Sequence, residues 1–278
     1  MTRNPLGDCY GYLGFETSPF SITPDTGLFY PGSLHATAFR QIRLACMQGM
    51  MAVLSGEIGL GKTLLVRCVL RHMPDHVNVA YVLNPLIDYR SLLHFICSEF
   101  RVTALEEDLT LSQLYDKLVE AVLTGAAQGQ RYAIIVDEAH RLPPESMEML
   151  RMLSNLETER SKLIGLVLVG QPELERTLML RSMRPLRERI GIWLRLHPFN
   201  RSETEAYIAH RIRLTHQQGQ FMFTKAALWW LHFRTRGVPR RINYACDKSL
   251  LHAFAQSQRR VNFFAAWRAC REFSKVWK

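Results

Sequence analysis

Short apolar runs alternate along most of this chain with stretches in which apolar residues recur every three or four positions. The runs Met50 to Leu54, Val77 to Leu83, Tyr132 to Val136, Leu163 to Gly170 and Trp193 to Leu196 predict strands. The periodic stretches His35 to Gln48, Leu64 to Arg71, Tyr89 to Phe100, Leu111 to Thr124 and Met147 to Leu156 predict helices. Runs with little polar alternation fit strands covered on both faces, so the alternation implies an α/β fold with a parallel sheet flanked by helices. From Ser202 onward the strand signals largely vanish, and helices are predicted over Glu203 to Arg213, Thr224 to Arg236, Pro239 to Ala255 and Asn262 to Ser274. Thr224 is placed to cap a helix start, Gly237 to stop a helix, and Pro239 to open the next one. The first 48 residues mix turn signals with aromatics, in Tyr12-Leu13-Gly14-Phe15, Ser18-Pro19-Phe20, Thr23-Pro24-Asp25 and Phe29-Tyr30. They read as an extended, aromatic-packed segment followed by the first helix. The expected division is an α/β domain over residues 1–200, with 1–48 as its N-terminal segment and helix, and a small helical domain over 201–278.

Composition narrows the class. With 278 residues and 47% hydrophobic content the chain can bury a sizeable core, which excludes a disordered or fibrous protein. The six cysteines form no C-x-x-C pair and lack histidines at metal spacing, so they read as buried thiols of a reducing compartment. No signal peptide and no apolar run of about 18 residues is visible, so the expectation is a cytoplasmic protein without a transmembrane span. The net charge of +10 is placed unevenly. Residues 201–278 hold 15 Lys/Arg against 4 Asp/Glu, whereas residues 1–200 hold 20 against 21. Such a basic region attracts nucleic acid, an anionic membrane surface, a bound nucleotide or neighbouring subunits, and it can also be a plain solvated helical face.

The chemistry is concentrated in Leu54-Ser55-Gly56-Glu57-Ile58-Gly59-Leu60-Gly61-Lys62-Thr63-Leu64, a complete G-x-x-x-x-G-K-T loop between a predicted strand and a predicted helix. Its glycines let backbone amides turn toward phosphate oxygens, and the following helix N-terminus adds unpaired amides and a positive dipole end. From a solvent-facing loop Lys62 would reach the outer phosphates, and the Thr63 hydroxyl would bind Mg²⁺. The loop therefore calls for ATP or a related nucleotide, with Gly56 to Leu64 as its cradle. The second half of the site follows the run Tyr132 to Val136, as Asp137-Glu138-Ala139-His140. A strand's carboxyl end is where parallel sheets place ligands. There Asp137 would hold Mg²⁺ largely through water, while Glu138 would polarise the attacking water. Asp137-Glu138-Ala139-His140 also spells the box of a helicase superfamily, but such helicases need a second core of similar size, for which the chain has no room. His140 reads as a surface histidine or one behind the site. Trp229 and Trp230 could stack bases, although at least one is expected inside the helical core.

The α/β core, phosphate loop and acidic strand end followed by a helical lid resemble the AAA+ ATPases. In that resemblance Gln171, within Val169-Gly170-Gln171-Pro172-Glu173-Leu174, takes the sensor-one position. Pro185-Leu186-Arg187-Glu188-Arg189-Ile190 is similar to the stretch that carries arginine fingers, with Arg184, Arg187 and Arg189 as candidates; one would reach a neighbour's γ-phosphate while the others make ion pairs such as with Glu188. Gly237-Val238-Pro239-Arg240-Arg241-Ile242-Asn243 is similar to the sensor-two motif and makes Arg240 its nucleotide-facing residue. More narrowly, Phe15, Pro19-Phe20, Thr23-Pro24-Asp25, Gly56-Glu57-Ile58-Gly59, Asn155-Leu156-Glu157-Thr158-Glu159 and Gly170-Gln171-Pro172-Glu173-Leu174 resemble the general secretion pathway protein A (ExeA) type. That group includes the MSHA pilus biogenesis ATPase MshM. ExeA-like members carry a membrane span and a peptidoglycan-binding region after the ATPase, and the expectation here is the shorter, MshM-like form. The resemblance implies ATP and Mg²⁺ as cofactors and an ATP-promoted homo-oligomeric ring or filament. It also implies protein partners in a type IV pilus or secretion machine at the inner membrane, with hydrolysis changing the angle between core and lid. A related branch, the transposon-encoded TnsC-like AAA+ regulators, implies DNA as partner instead.

Overall fold

The computed structural model describes residues 5–83, 85, 88–102, 109–159, 161–219 and 221–273. Five strands form one parallel sheet in the order β2-β3-β4-β1-β5: β1 (Met51–Ser55), β2 (Val77–Val82), β3 (Arg131–Val136), β4 (Ile164–Gly170) and β5 (Ile190–Arg195). The three central strands are the continuous apolar runs and are buried almost throughout, as a sheet covered on both faces requires. The two edge strands alternate buried with partly open positions. That alternation is why β5 begins at Ile190, three residues before the apolar density that marks it in sequence.

The chain groups into two compact units. The first comprises Leu34–Ile58 and Leu65–Leu196 and contains the sheet. Its helices are α2 (Ser33–Gln48), α3 (Lys62–Arg71), α4 (Tyr89–Glu99), α5 (Leu111–Ala127), α6 (Pro144–Leu153), α7 (Pro172–Leu178) and the single turn α8 (Arg184–Arg187), with the first residues of α2 and α3 lying in the second unit. Its core joins Val53, Ile134, Leu166 and Leu168 of the sheet to Leu93 and Ile96 of α4, Leu114 and Leu118 of α5, and Met147 and Leu150 of α6. Asp88 caps α4 by accepting from the amides of Arg90 and Ser91, and Thr110 with Gln113 closes a capping box on α5. Helix α6 runs three residues ahead of its predicted span. Pro144 presets the first turn, and the helix ends at Ser154, whose Oγ donates to the Arg151 carbonyl at 2.7 Å.

The second unit comprises the described part of Met1–Ser33, Gly59–Leu64 and His197–Lys278. It holds α1 (Pro5–Tyr12), α9 (Arg201–Thr215), α10 (Lys225–Thr235), α11 (Pro239–Ala255) and α12 (Phe263–Phe273). The two-residue strands β6 (Met222–Phe223) and β7 (Arg260–Val261) pair in parallel. The predicted caps occur here: Thr224 accepts from the Ala227 amide, Gly237 has φ +72°, and Pro239 opens α11. Ser274, the predicted end of the last helix, lies outside the described residues. Two findings differ from the sequence expectation. The N-terminal segment begins with a helix, and its aromatics pack into the core of this second unit. Leu13, Phe15 and Phe20 share a core with Phe199, Tyr207, Phe223, Leu231 and Ile242. The Phe15 ring meets His216 edge-on, with centroids 5.0 Å apart. These large rings find their apolar partners among the C-terminal helices, so the segment groups with residues beyond 196 rather than with the domain to which sequence order assigns it.

Candidate nucleotide-binding site

Gly56 follows directly on the buried last residue of β1. Ser55 Oγ is hydrogen-bonded to the Glu175 carboxylate and lies 3.3 Å from the Leu194 carbonyl oxygen, and Glu175 also faces Arg195 Nη1 at 3.7 Å. The entry to the loop is thereby fixed to α7 and β5, a support that only the polar end of an apolar run hinted at. Gly59 and Gly61 adopt φ of +85° and +89°, a left-handed backbone that costs other residues energy. The crest, Glu57 and Ile58, is exposed, while Leu60 is buried. Thr63 and Leu64 are half-buried at the start of α3. Lys62 departs from its expected solvent-facing position: it is only 6% exposed, because it opens α3 beneath the loop instead of riding on the crest. Within the second unit the sensor-two stretch meets the loop directly. The Arg240 amide, which at the start of α11 has no carbonyl of its own helix to reach, donates to the Gly59 carbonyl at 3.1 Å. A Cβ on Gly59 would sit 2.9 Å from Arg240 Cβ, so glycine is needed there for the approach as well as for φ.

Asp137 ends β3 almost fully buried, at 1% exposure. Its amide donates to the Val82 carbonyl at 2.8 Å, its Oδ1 accepts from the Glu138 amide at 2.9 Å, and its Oδ2 accepts from the Tyr81 hydroxyl at 3.3 Å. Burial, reinforced by the negative charge of Asp137, pushes the Tyr81 phenol upward against the opposing pull of Arg67. Tyr81 thus stays a hydrogen-bond donor at ordinary pH. Sequence reasoning missed it, since a tyrosine near the end of an apolar strand looks like core.

Glu138 has φ +53°, an uncommon backbone for a non-glycine residue, and its side chain makes no capping bond to the turn that follows. Its Oε2 instead accepts from Gln171 Nε2 at 3.2 Å and lies 3.7 Å from His140 Nε2. Strand order explains the meeting. β3 neighbours β4 and β4 neighbours β1, with Val136 paired to Leu168 and Ser55 paired to Gly170. Asp137, Gln171 and Gly56 therefore leave the same carboxyl edge. The hard oxygen donors of Asp137 and Thr63 suit Mg²⁺ chemically. Among the described residues, no group of three His, Cys, Asp or Glu forms a protein-only metal cage. A carboxylate with a fixed oxygen and a free one can orient and polarise water.

The three finger candidates have different surroundings. Arg184 pairs with Glu188 at 2.7 Å. Arg187 Nη1 donates to the Met179 carbonyl at 3.2 Å and lies 3.5 Å from that of Leu178, closing the C-terminal end of α7. Arg189 is exposed and, among the described residues, its side chain makes no ion pair or hydrogen bond.

Residues 46–178 match a family model described as AAA domain. The chain has the AAA+ P-loop fold. It is 37% identical over 251 residues to General secretion pathway protein A of Aeromonas hydrophila, an alignment that covers 90% of this chain. The chain spans about half of that relative, 46% of its length. Among solved structures, the Aeropyrum pernix ORC2 protein superposes with a TM-score of 0.65 at 16% identity, over 93% of this chain and 72% of that one. Cdc6p of Pyrobaculum aerophilum gives 0.66 at 17%, over 88% and 67%. The Thermotoga maritima RuvB branch migration motor gives 0.56 at 18%, over 85% and 67%. Among the described residues, no helix is long and apolar enough to cross a membrane.

Proposed function

We propose that this AAA+ protein binds and hydrolyses ATP with Mg²⁺ and uses the cycle to do assembly work on a protein partner. One observation carries the reading: a complete phosphate loop leaves the same sheet edge as a buried Asp137 and a Glu138 already in contact with the sensor-one Gln171. In this reading Gly56 to Leu64 and Arg240 bind the nucleotide, and Thr63 and Asp137 hold the metal. The metal, when bound, neutralises phosphate charge. Lys62 supports the outer phosphates, Glu138 activates water, and Gln171 fixes Glu138. Arg189 is the finger, because Arg184 and Arg187 already have partners within the chain. A finger supplied to a neighbour calls for an ATP-promoted ring or filament, and the division near residue 200 is the joint through which hydrolysis is expressed as work. The kinship with General secretion pathway protein A supports a pilus or secretion machine as partner, in the manner of MshM, with the protein held at the cytoplasmic side of the inner membrane by that partner. Purified protein should hydrolyse ATP; Lys62→Ala should lose most ATP affinity, and Glu138→Gln should bind ATP yet scarcely turn over. Unchanged ATP affinity in the first variant, or near-normal single-turnover rates in the second, would refute these roles.

A second reading, an ATP-dependent DNA-binding regulator of the TnsC-like kind, has one observation in its favour. Trp229 and Phe233 are 45% and 59% exposed and stack face to face on α10, with ring centroids 5.8 Å apart at 6°. They lie within the strongly basic C-terminal region, with Arg201 and Arg236 lining the same hollow. Exposed aromatic faces among arginines are how single strands are held without sequence preference. Binding to labelled DNA across a salt series separates the readings. Tight, ATP-dependent binding at near-physiological salt that Trp229→Ala abolishes would favour the second, and weak nonspecific binding the first.

A further inference from the structure

The fourth residue of the Asp137-Glu138-Ala139-His140 stretch is where the structure says more than the loop motifs do. His140 lies in the 3₁₀ turn Ala139–Arg141, and its side chain is only 14% exposed. Gly170, at the end of β4, makes room for that turn: a Cβ there would come within 3.4 Å of the His140 amide nitrogen and 2.9 Å of Leu174 Cδ2. The Gln171 amide points at His140 Nδ1 from 3.4 Å. A ring whose Nδ1 accepts from a backbone amide carries its proton on Nε2 when neutral. Nε2 in turn faces Glu138 Oε2 at 3.7 Å, too long for a direct hydrogen bond, with the N–H dipole directed at the carboxylate. Gln171 Nε2 reaches the same oxygen at 3.2 Å. Two donors therefore converge on Oε2. Oε1 has no partner among the described residues.

We propose that His140 is a positioning residue for the hydrolytic step: with the Gln171 side chain it holds Oε2 of Glu138, so that Oε1 is presented to the attacking water. The inference rests on Glu138 being the base. Glu138 needs such help because it sits on a left-handed backbone with no capping bond of its own, and an unrestrained carboxylate would sample several orientations. The Gln171 amide also ties the ring to the start of α7. Gln171 thereby acts twice, through its side chain on Glu138 and through its amide on His140.

The test is a cycle of His140→Ala, Glu138→Gln and the double variant, with single-turnover hydrolysis, ATP affinity and thermal stability measured on each. His140→Ala should slow turnover roughly 10- to 100-fold, as expected for an ångström-scale misplacement, with ATP affinity within about twofold. In the Glu138→Gln background the same change should add almost nothing, because there is no base left to position. His140→Gln, whose amide can still donate toward Oε2, should recover most of the rate. That variant also decides the matter if His140→Ala is poorly folded. Wild-type turnover in His140→Ala would overturn the proposal, as would an equal proportional loss in both backgrounds or a failure of His140→Gln to rescue. Normal turnover in Glu138→Gln alone would instead remove the underlying assignment of the base.

Discussion

Removing a single oxygen, by Tyr81→Phe, tests how far Asp137 depends on its neighbour. The hydroxyl donates to Asp137 Oδ2 at 3.3 Å, and the carboxylate is 1% exposed, so water cannot readily replace the lost donor. Hydrogen bonds to charged groups contribute roughly 1.5–3 kcal/mol net, and the length of this one places it at the lower end. A loss of about 1.5 kcal/mol is about tenfold in an equilibrium constant, the low end of what removing a partner behind a metal ligand costs. The Mg²⁺ concentration giving half-maximal ATP hydrolysis should therefore rise about tenfold, while ATP affinity without Mg²⁺ stays unchanged. Burial and the Asp137 charge raise the Tyr81 phenol above its unfolded value near 10, so its contribution is fully present below that value and is lost only as pH rises through the folded one. The difference between wild type and variant should accordingly be constant from about pH 6 to 9. Mg²⁺ titration of steady-state hydrolysis at saturating ATP measures it. An unchanged or lowered Mg²⁺ requirement would show that Asp137 is held well enough by the Glu138 amide and that the phenol merely fills space.

Gly237→Ala should destabilise the helical unit by about 3 kcal/mol or more, read by chemical denaturation. Its Cβ would lie 1.9 Å from the Phe199 carbonyl oxygen, on a backbone at φ +72°, and a stability within about 1 kcal/mol of wild type would contradict that geometry. Asp247, whose carboxyl is raised by burial, accepts from the Tyr10 hydroxyl. Its contribution is present below the unfolded value near 3.9 and lost as pH rises through the folded one, so Asp247→Asn should raise the melting temperature at pH 8 but not at pH 4. A uniform loss at both values would mean that the charge itself is needed. Arg189→Ala should cut turnover about 10³-fold with ATP affinity retained, while Arg187→Ala should chiefly loosen α7 and leave turnover within a fewfold. The reverse ranking would move the finger to Arg187.

The sheet was legible because its central strands carry an undiluted signal: β1, β3 and β4 are apolar at nearly every position, and only a sheet covered on both faces rewards that. The edges were less so. β5 alternates, so only its second half, from Trp193, carried the apolar run that marks a strand. Local chemistry placed Thr224, Gly237 and Pro239 correctly because a cap, a stop and a helix start act over three or four residues. The N-terminal segment shows the limit of such reasoning. Phe15 and Phe20 announce that they will be buried but not against what, and their partners Phe199 and Phe223 lie some 200 residues away. The site divides in the same way. Glycine spacing and the acidic strand end were readable because phosphate chemistry fixes residue types at fixed intervals. Tyr81 and Glu175 were not, because each acts on a residue of another element, Asp137 and Ser55, through a contact that only strand order creates; His140 was read as a surface histidine or one behind the site, and its contact with Gln171 arises in the same way. Of the groups around the loop, those proposed to touch ligand are therefore written in the local sequence, while those that hold them in place are written in the order β2-β3-β4-β1-β5. A substitution that preserves every loop residue but shifts the register of β4 against β3 should for that reason separate Gln171 from Glu138 and cost turnover before it costs ATP binding.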